Sequence, residues 1–85
     1  MQTVCLFARD YHTAREVHAA LKRLLSLPDY YGMNADALND CLSERAEPVH
    51  LWIIGSGDGE GEAANTLRLI ARVVKDNGGT VKEVG

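Results

Sequence analysis

The sequence has 85 residues, of which 46% are hydrophobic and 25% charged, and its formal net charge is −3. This length leaves room for one hydrophobic core, and the composition is typical of a folded protein, so we expect a single domain over residues 1–85. The acidic balance argues against nucleic acid as a partner, because phosphate binding requires a positive surface, but it is compatible with a cationic protein partner. The sequence has neither the ~20-residue apolar run of a membrane span nor a signal-peptide pattern, so we expect a cytoplasmic protein with no membrane contact.

The first third of the chain predicts a strand followed by a helix. Residues 3–7 are β-branched or apolar, which is typical of a short strand. Thr13 and Glu16 have the spacing of a capping box, in which each residue satisfies a free N–H group of the other. Apolar residues recur behind this box at helical intervals, so we expect a helix over about residues 14–25.

A second helix is predicted after a polar, aromatic loop, with Asn34 as its N-cap and its end just before Arg45. One face of this helix is apolar, and the other carries three carboxylates: Asp36, Asp40 and Glu44. Five acids against Arg45 alone give residues 29–47 a charge of −4. The charge pattern alone favours a solvated helix surface, and it is also compatible with a docking surface whose carboxylates attract a basic partner.

The second half of the chain predicts two strands that flank a long helix. Residues 49–54 are apolar at both alternating positions, which predicts a central strand covered on both faces. A glycine-rich loop at 55–61 leads to a helix predicted over about residues 62–77, and a last strand is predicted at 80–84. This order predicts an α/β fold with a small, three-stranded, mostly parallel sheet and helices packed on it.

Residue types that often carry chemistry form no recognisable catalytic, cofactor or metal site in the sequence. The loop at 55–61 departs from the glycine spacing of dinucleotide-binding loops and has no Walker lysine. Cys5 and Cys41 have no CxxC spacing, so we expect free, buried thiols. Asp36 and Asp40 could act as an acid–base pair, but a short surface helix offers no cleft for catalysis. We therefore expect no enzymatic activity, no cofactor and no bound metal.

Residues 27–42 read Leu-Pro-Asp-Tyr-Tyr-Gly-Met-Asn-Ala-Asp-Ala-Leu-Asn-Asp-Cys-Leu, and this stretch resembles the signature of the barstar family. The family pattern L-P-x-Y-Y-G-x-N-x-D-A-L-x-D-C-L is matched at every fixed position, and nearly all of the remaining chain resembles the family at lower specificity. The resemblance implies three parallel strands with helices on the sheet. It also implies an intracellular inhibitor that plugs the active site of a barnase-like, guanyl-specific ribonuclease in a one-to-one complex. We expect a monomer when this protein is unbound.

The resemblance further implies a set of partner-binding residues in the loop and the second helix. Asp40 corresponds to the carboxylate that enters the phosphate-binding pocket of the enzyme, Asp36 to a second acidic contact, and Tyr30 to an aromatic packing residue. The other implied contacts lie at the start, the centre and the C-terminal edge of the helix: Asn34, Ala35, Asn39, Ser43, Glu44 and Arg45.

The sequence departs from the family pattern at several of these positions. Asn39 replaces an aromatic residue, Glu44 and Arg45 replace a glycine and an aromatic residue, and Val73 lies where a further acid is expected. These differences do not change the fold prediction, but they leave the partner open. The alternatives are a bacterial antitoxin or immunity protein against another toxin nuclease, and an interaction module that has this fold without inhibiting nucleases.

Overall fold

The computed structural model describes residues 2–55 and 61–84. Its elements in chain order are strand β1 (Gln2–Phe7), helix α1 (Ala14–Leu24), helix α2 (Ala35–Ser43), strand β2 (Val49–Ile54), helix α3 (Glu62–Asp76) and strand β3 (Thr80–Val84). The predicted order of elements is confirmed, and so are their positions, with differences of about one residue at the ends. The sequence does not predict the short 3-10 helix that connects β1 to α1. The glycine-rich loop lies largely outside the described residues.

The three strands form one parallel sheet in the order β1-β2-β3, which confirms the predicted α/β fold. Helix α3 packs against α1 and α2 as well as against β2 and β3. The core between the sheet and the helices consists of large apolar side chains that are almost fully buried: Leu6, Val17, Leu21, Leu38, Leu51, Ile53, Leu67 and Ile70. Burial of each such side chain contributes roughly 1.5–3 kcal/mol.

Only one face of the sheet is covered within the part of the chain that the structure describes, so the prediction of a strand covered on both faces is wrong. Val49, Leu51 and Ile53 of β2 are buried on the helix side, whereas Trp52 points to the other face and is 38% exposed. The Lys82 ammonium lies 4.9 Å from the centre of the Trp52 ring. This cation–π contact, together with the apolar part of the lysine side chain, partly shields the indole.

The cysteines are free, as expected, but they are not both buried. Cys5 alternates with the buried Val4 and Leu6 on β1, so its side chain lies on the uncovered face and is exposed. Cys41 on α2 is half-buried. The expected burial is therefore wrong for Cys5, because its side chain lies on the face of the sheet opposite to the described helices.

The turn between α3 and β3 requires two glycines. Gly78 adopts the left-handed conformation at the C-terminus of α3, with φ of +81°. Its N–H donates to Lys75 O, and the N–H of Gly79 donates to Val74 O, which is the hydrogen-bond pattern of a Schellman motif. A Cβ atom on Gly79 would clash with Val49 O, so only glycine allows β3 to approach β2 at this point.

Candidate functional site

Helix α2 begins at Asn34, which confirms the predicted N-cap. The Asn34 side-chain oxygen accepts a hydrogen bond from the N–H of Ala37 at 2.8 Å, and its Nδ2 donates to Gly32 O at 3.1 Å. Met33, the preceding residue, adopts the left-handed conformation with φ of +57°. Asn34 therefore stabilises the first turn of α2 and also holds the end of the loop that precedes it.

The two faces of α2 differ as the sequence predicts. Leu38 and Leu42 are buried, while Asp36 and Asp40 are exposed on the opposite side. Residues four positions apart are neighbours on a helix surface, so these carboxylates form a stripe along the axis. Asp36 lies in the first turn, where the helix dipole favours a negative charge.

The two tyrosines of the preceding loop have different environments. Tyr30 is 84% exposed, whereas Tyr31 is buried and its N–H donates to Pro28 O at 2.9 Å. The Tyr31 hydroxyl lies 2.6 Å from Nδ1 of His18, a buried residue of α1. Burial raises the pKa of Tyr31 and lowers the pKa of His18. Tyr31 therefore anchors the loop to α1, and this anchor leaves Tyr30 exposed to solvent.

A groove of about 700 Å³ separates this loop from α2. The loop contributes Pro28 and Tyr30 to its lining, and the helix contributes Asp40 and Cys41. Burial raises the pKa of Cys41, and the negative charges of Glu44 and Asp40 raise it further, so the thiol form is favoured there.

The structure brings five of the nine implied partner-binding residues together around this groove: Tyr30, Asp40, Ser43, Glu44 and Arg45. The other four lie on α2 or at its start but do not line the groove: Asn34, Ala35, Asp36 and Asn39. Asp36 extends the carboxylate stripe beyond the groove by one turn. The loop and α2 therefore present one surface, which we call the acidic surface and define by Tyr30, the exposed residues of α2 and Glu44.

Two of the implied contact residues, Asn39 and Arg45, make side-chain hydrogen bonds to residues that are distant in the chain. The Asn39 side-chain oxygen accepts from Nδ2 of Asn77, at 2.9 Å, and the same Nδ2 donates to Val73 O. Arg45 donates from Nη1 to Leu25 O and from Nη2 to the side-chain oxygen of Gln2. Sequence reasoning missed Gln2 and Asn77, because they are 43 and 38 positions away from their partners and no local pattern links such residues.

The described residues show neither a metal centre nor a membrane-spanning segment. No three histidine, cysteine or acidic side chains cluster in a way that could hold a metal ion within residues 2–55 and 61–84. In the same parts of the chain, no helix combines the length and the hydropathy needed to cross a bilayer.

The fold and the acidic surface together define a small α/β protein with an exposed acidic helix beside an aromatic loop. A family model described as Barstar (barnase inhibitor) matches residues 1–84, and the chain belongs to this family. The chain is also similar to a Bacillus subtilis (strain 168) protein named "Putative ribonuclease inhibitor YrdF", with 44% identity over 43 residues. The aligned region covers 51% of this chain and 47% of that relative, so the match spans about half of each. The resemblance to the barstar family is therefore confirmed.

Proposed function

We propose that this protein is a cytoplasmic inhibitor of a basic, barnase-like microbial ribonuclease. In this proposal the acidic surface covers the active site of the enzyme in a one-to-one complex, without a cofactor and without catalysis. The observation that carries the proposal is the groove beside α2, which places Asp40 and Tyr30 together in a chain that belongs to a family of barnase inhibitors.

Electrostatics supports the acidic surface as the binding site. Residues 29–47 carry a charge of −4. A ribonuclease must present positive groups to the phosphates of its substrate, and the exposed carboxylates of Asp36 and Asp40 can pair with such groups. Complementary charges also accelerate association, and salt weakens this attraction because the screening length is only about 8 Å at physiological ionic strength.

The shape of the surface supports the same proposal. Tyr30 is 84% exposed and lies at the rim of the groove. Exposed aromatic residues that pack against a partner are common energetic centres of protein interfaces, because they bury a large area at low entropic cost. We propose that Tyr30 packs against the enzyme while Asp40 pairs with a cationic group in its phosphate-binding pocket.

The departures from the family pattern change the side chains that the acidic surface offers to a partner. Asn39 is held by Asn77 and offers no aromatic area, while Glu44 adds a carboxylate at the groove. The charges of Glu44 and Arg45 cancel, and Val73 lies where the family has a further acid, so these departures reduce packing without increasing the net negative charge. We propose a basic enzyme, and we expect its inhibition to weaken as the salt concentration rises, because the charge of −4 on residues 29–47 attracts it.

The test is inhibition of basic microbial ribonucleases, with barnase as the first probe, by the wild type and by two variants. Asp40→Ala should weaken inhibition by about 2–5 kcal/mol, roughly 30- to 4,000-fold, which is the general range for charge pairs at protein interfaces, barnase–barstar among them. Glu83→Ala removes an exposed acid on β3, outside the acidic surface, and should leave inhibition unchanged. If Asp40→Ala inhibits as well as the wild type does, the assignment of Asp40 is wrong.

The same assay separates the alternatives. If the wild type inhibits no ribonuclease but blocks another toxin nuclease, the protein is an immunity protein of a different specificity. If it inhibits no nuclease and binds an unrelated protein stably, it is an interaction module.

A further inference from the structure

The C-terminus of α1 lies at the start of the loop that carries Tyr30, and its free carbonyl groups need hydrogen-bond partners. The last four carbonyls of a helix have no partner within that helix. Leu27 N donates to Lys22 O at 2.9 Å, and Ser26 N donates to Arg23 O at 3.4 Å. Ser26 is left-handed with φ of +52°, so the chain leaves α1 through a Schellman motif that satisfies two of the four carbonyls.

Side chains from two distant segments satisfy the other two carbonyls. Nε2 of Gln2 donates to Leu24 O at 2.9 Å, and Nη1 of Arg45 donates to Leu25 O at 3.1 Å. Nη2 of Arg45 also donates to the side-chain oxygen of Gln2, at 2.5 Å. We call this group of three hydrogen bonds the Arg45–Gln2 clamp. The guanidinium charge is favourable at this helix end, where the dipole is negative.

The clamp connects the two parts of the acidic surface, which are the loop that carries Tyr30 and the helix α2. The loop with Tyr30 begins at the C-terminus of α1, and Arg45 lies two residues after the end of α2. Both helices also pack on α3, but the clamp links the end of α2 directly to the start of the loop. Its hydrogen bonds therefore help to determine the position of Tyr30 relative to Asp40 across the groove.

We propose that Arg45 is a positioning residue of the ribonuclease-binding surface and that Gln2 is the residue through which it acts. This inference rests on the proposed function, and it gives Arg45 a role other than that of a partner contact. Arg45 lines the groove, but its guanidinium is bound to Leu25 and Gln2. A surface held in its binding geometry loses less conformational entropy on association, so loss of the clamp weakens binding without removal of a contact.

The experiment compares the wild type with Arg45→Met, Arg45→Lys, Gln2→Met and the double variant Gln2→Met/Arg45→Met. Gln2 does not line the groove, so its substitution tests positioning without a change in the acidic surface. Arg15→Met, at an exposed arginine of α1, is the matched control. Two quantities are measured: the dissociation constant for the ribonuclease, and amide hydrogen exchange of Leu27 and Tyr31 in the free protein.

We expect each clamp variant to weaken binding about three- to tenfold, as the loss of one or two hydrogen bonds would, and to accelerate exchange at Leu27 and Tyr31. The double variant should weaken binding by less than the sum of the two single effects, because both substitutions remove the same hydrogen bond between Arg45 and Gln2. Arg45→Lys should not restore wild-type affinity, since a single ammonium cannot reproduce both guanidinium hydrogen bonds. Arg15→Met should match the wild type in both measurements.

Normal binding by Gln2→Met beside weak binding by Arg45→Met would overturn the proposal, because Arg45 would then touch the enzyme directly. Wild-type affinity of Arg45→Lys or of Arg45→Met would also overturn it. If the wild type binds no ribonuclease, the proposed function fails on its own. The exchange measurements in the free protein then still decide whether the clamp holds the loop, and unchanged exchange at Leu27 and Tyr31 in Gln2→Met and Arg45→Met refutes it.

Discussion

The buried pair of His18 and Tyr31 should make the stability of this protein depend on pH. His18 is 3% exposed, and its Nδ1 lies 2.6 Å from the Tyr31 hydroxyl. Burial lowers the pKa of His18 below its ordinary value of 6.5, so the unfolded chain binds the proton more tightly than the folded protein does. This contribution to stability is complete above about pH 6.5 and is lost as the pH falls below that value.

The magnitude follows from proton linkage. Where the unfolded histidine is protonated and the folded one is not, the free energy of unfolding falls by about 1.4 kcal/mol per pH unit. A decrease from pH 7.5 to pH 5.5 should therefore cost at most about 1.4 kcal/mol through His18, since only about one of these units lies below the unfolded pKa. His18→Gln offers the Tyr31 hydroxyl both a hydrogen-bond donor and an acceptor but does not titrate, so the His18 contribution to the pH dependence of the free energy of unfolding should disappear.

The assay is urea unfolding of the wild type and His18→Gln at several pH values between 5.5 and 7.5. The carboxylates titrate in both proteins. The difference between the wild type and His18→Gln in the pH dependence of the free energy of unfolding therefore isolates the contribution of His18. The free energy of unfolding of the wild type should fall faster towards low pH. Parallel curves would refute the reasoning, because His18 would then bind protons equally in the folded and unfolded states.

Three further predictions concern the ends of the helices and the uncovered sheet face. Ser26→Gly should raise the free energy of unfolding by roughly 0.5–1 kcal/mol in urea, because Ser26 adopts a left-handed conformation that glycine accepts without strain. Asn34→Ala should lower it by about 1 kcal/mol through loss of the α2 cap, whereas Asn34→Asp should retain most of the stability. Trp52 is the only tryptophan and is 38% exposed, so acrylamide should quench its fluorescence in the folded protein; emission inaccessible to acrylamide would show that this face is covered.

The sequence predicted those parts of the fold that depend on neighbouring residues. The Thr13–Glu16 capping box and the Asn34 cap formed as expected, because each is complete within four residues. The apolar run at residues 49–54 correctly predicted strand β2, but it did not correctly predict which faces of this strand are covered. Trp52 is apolar and yet lies on an open face, where Lys82 of the neighbouring strand partly shields it. Periodicity identifies the faces of a strand, but it does not show whether another layer packs on each of them.

For the candidate site too, the sequence predicted the residues that are close together in the chain but not the contacts between distant ones. The motif around Tyr30, Asp36 and Asp40 could be recognised directly, because its residues are contiguous in the chain. The contacts that hold these residues in place could not, since Gln2 meets Arg45, and His18 meets Tyr31, only after the sheet and helices have assembled.

The most direct test of the proposed ribonuclease-binding surface is an NMR titration of the ¹⁵N-labelled protein with an unlabelled, catalytically inactive basic ribonuclease. We expect saturation at one equivalent, with the largest amide shifts at Tyr30 and along α2 and with small shifts around Trp52 on the open sheet face. Asp40→Ala should require a much higher ribonuclease concentration to produce the same shifts. Shifts centred on Trp52, with α2 unaffected, would contradict the account.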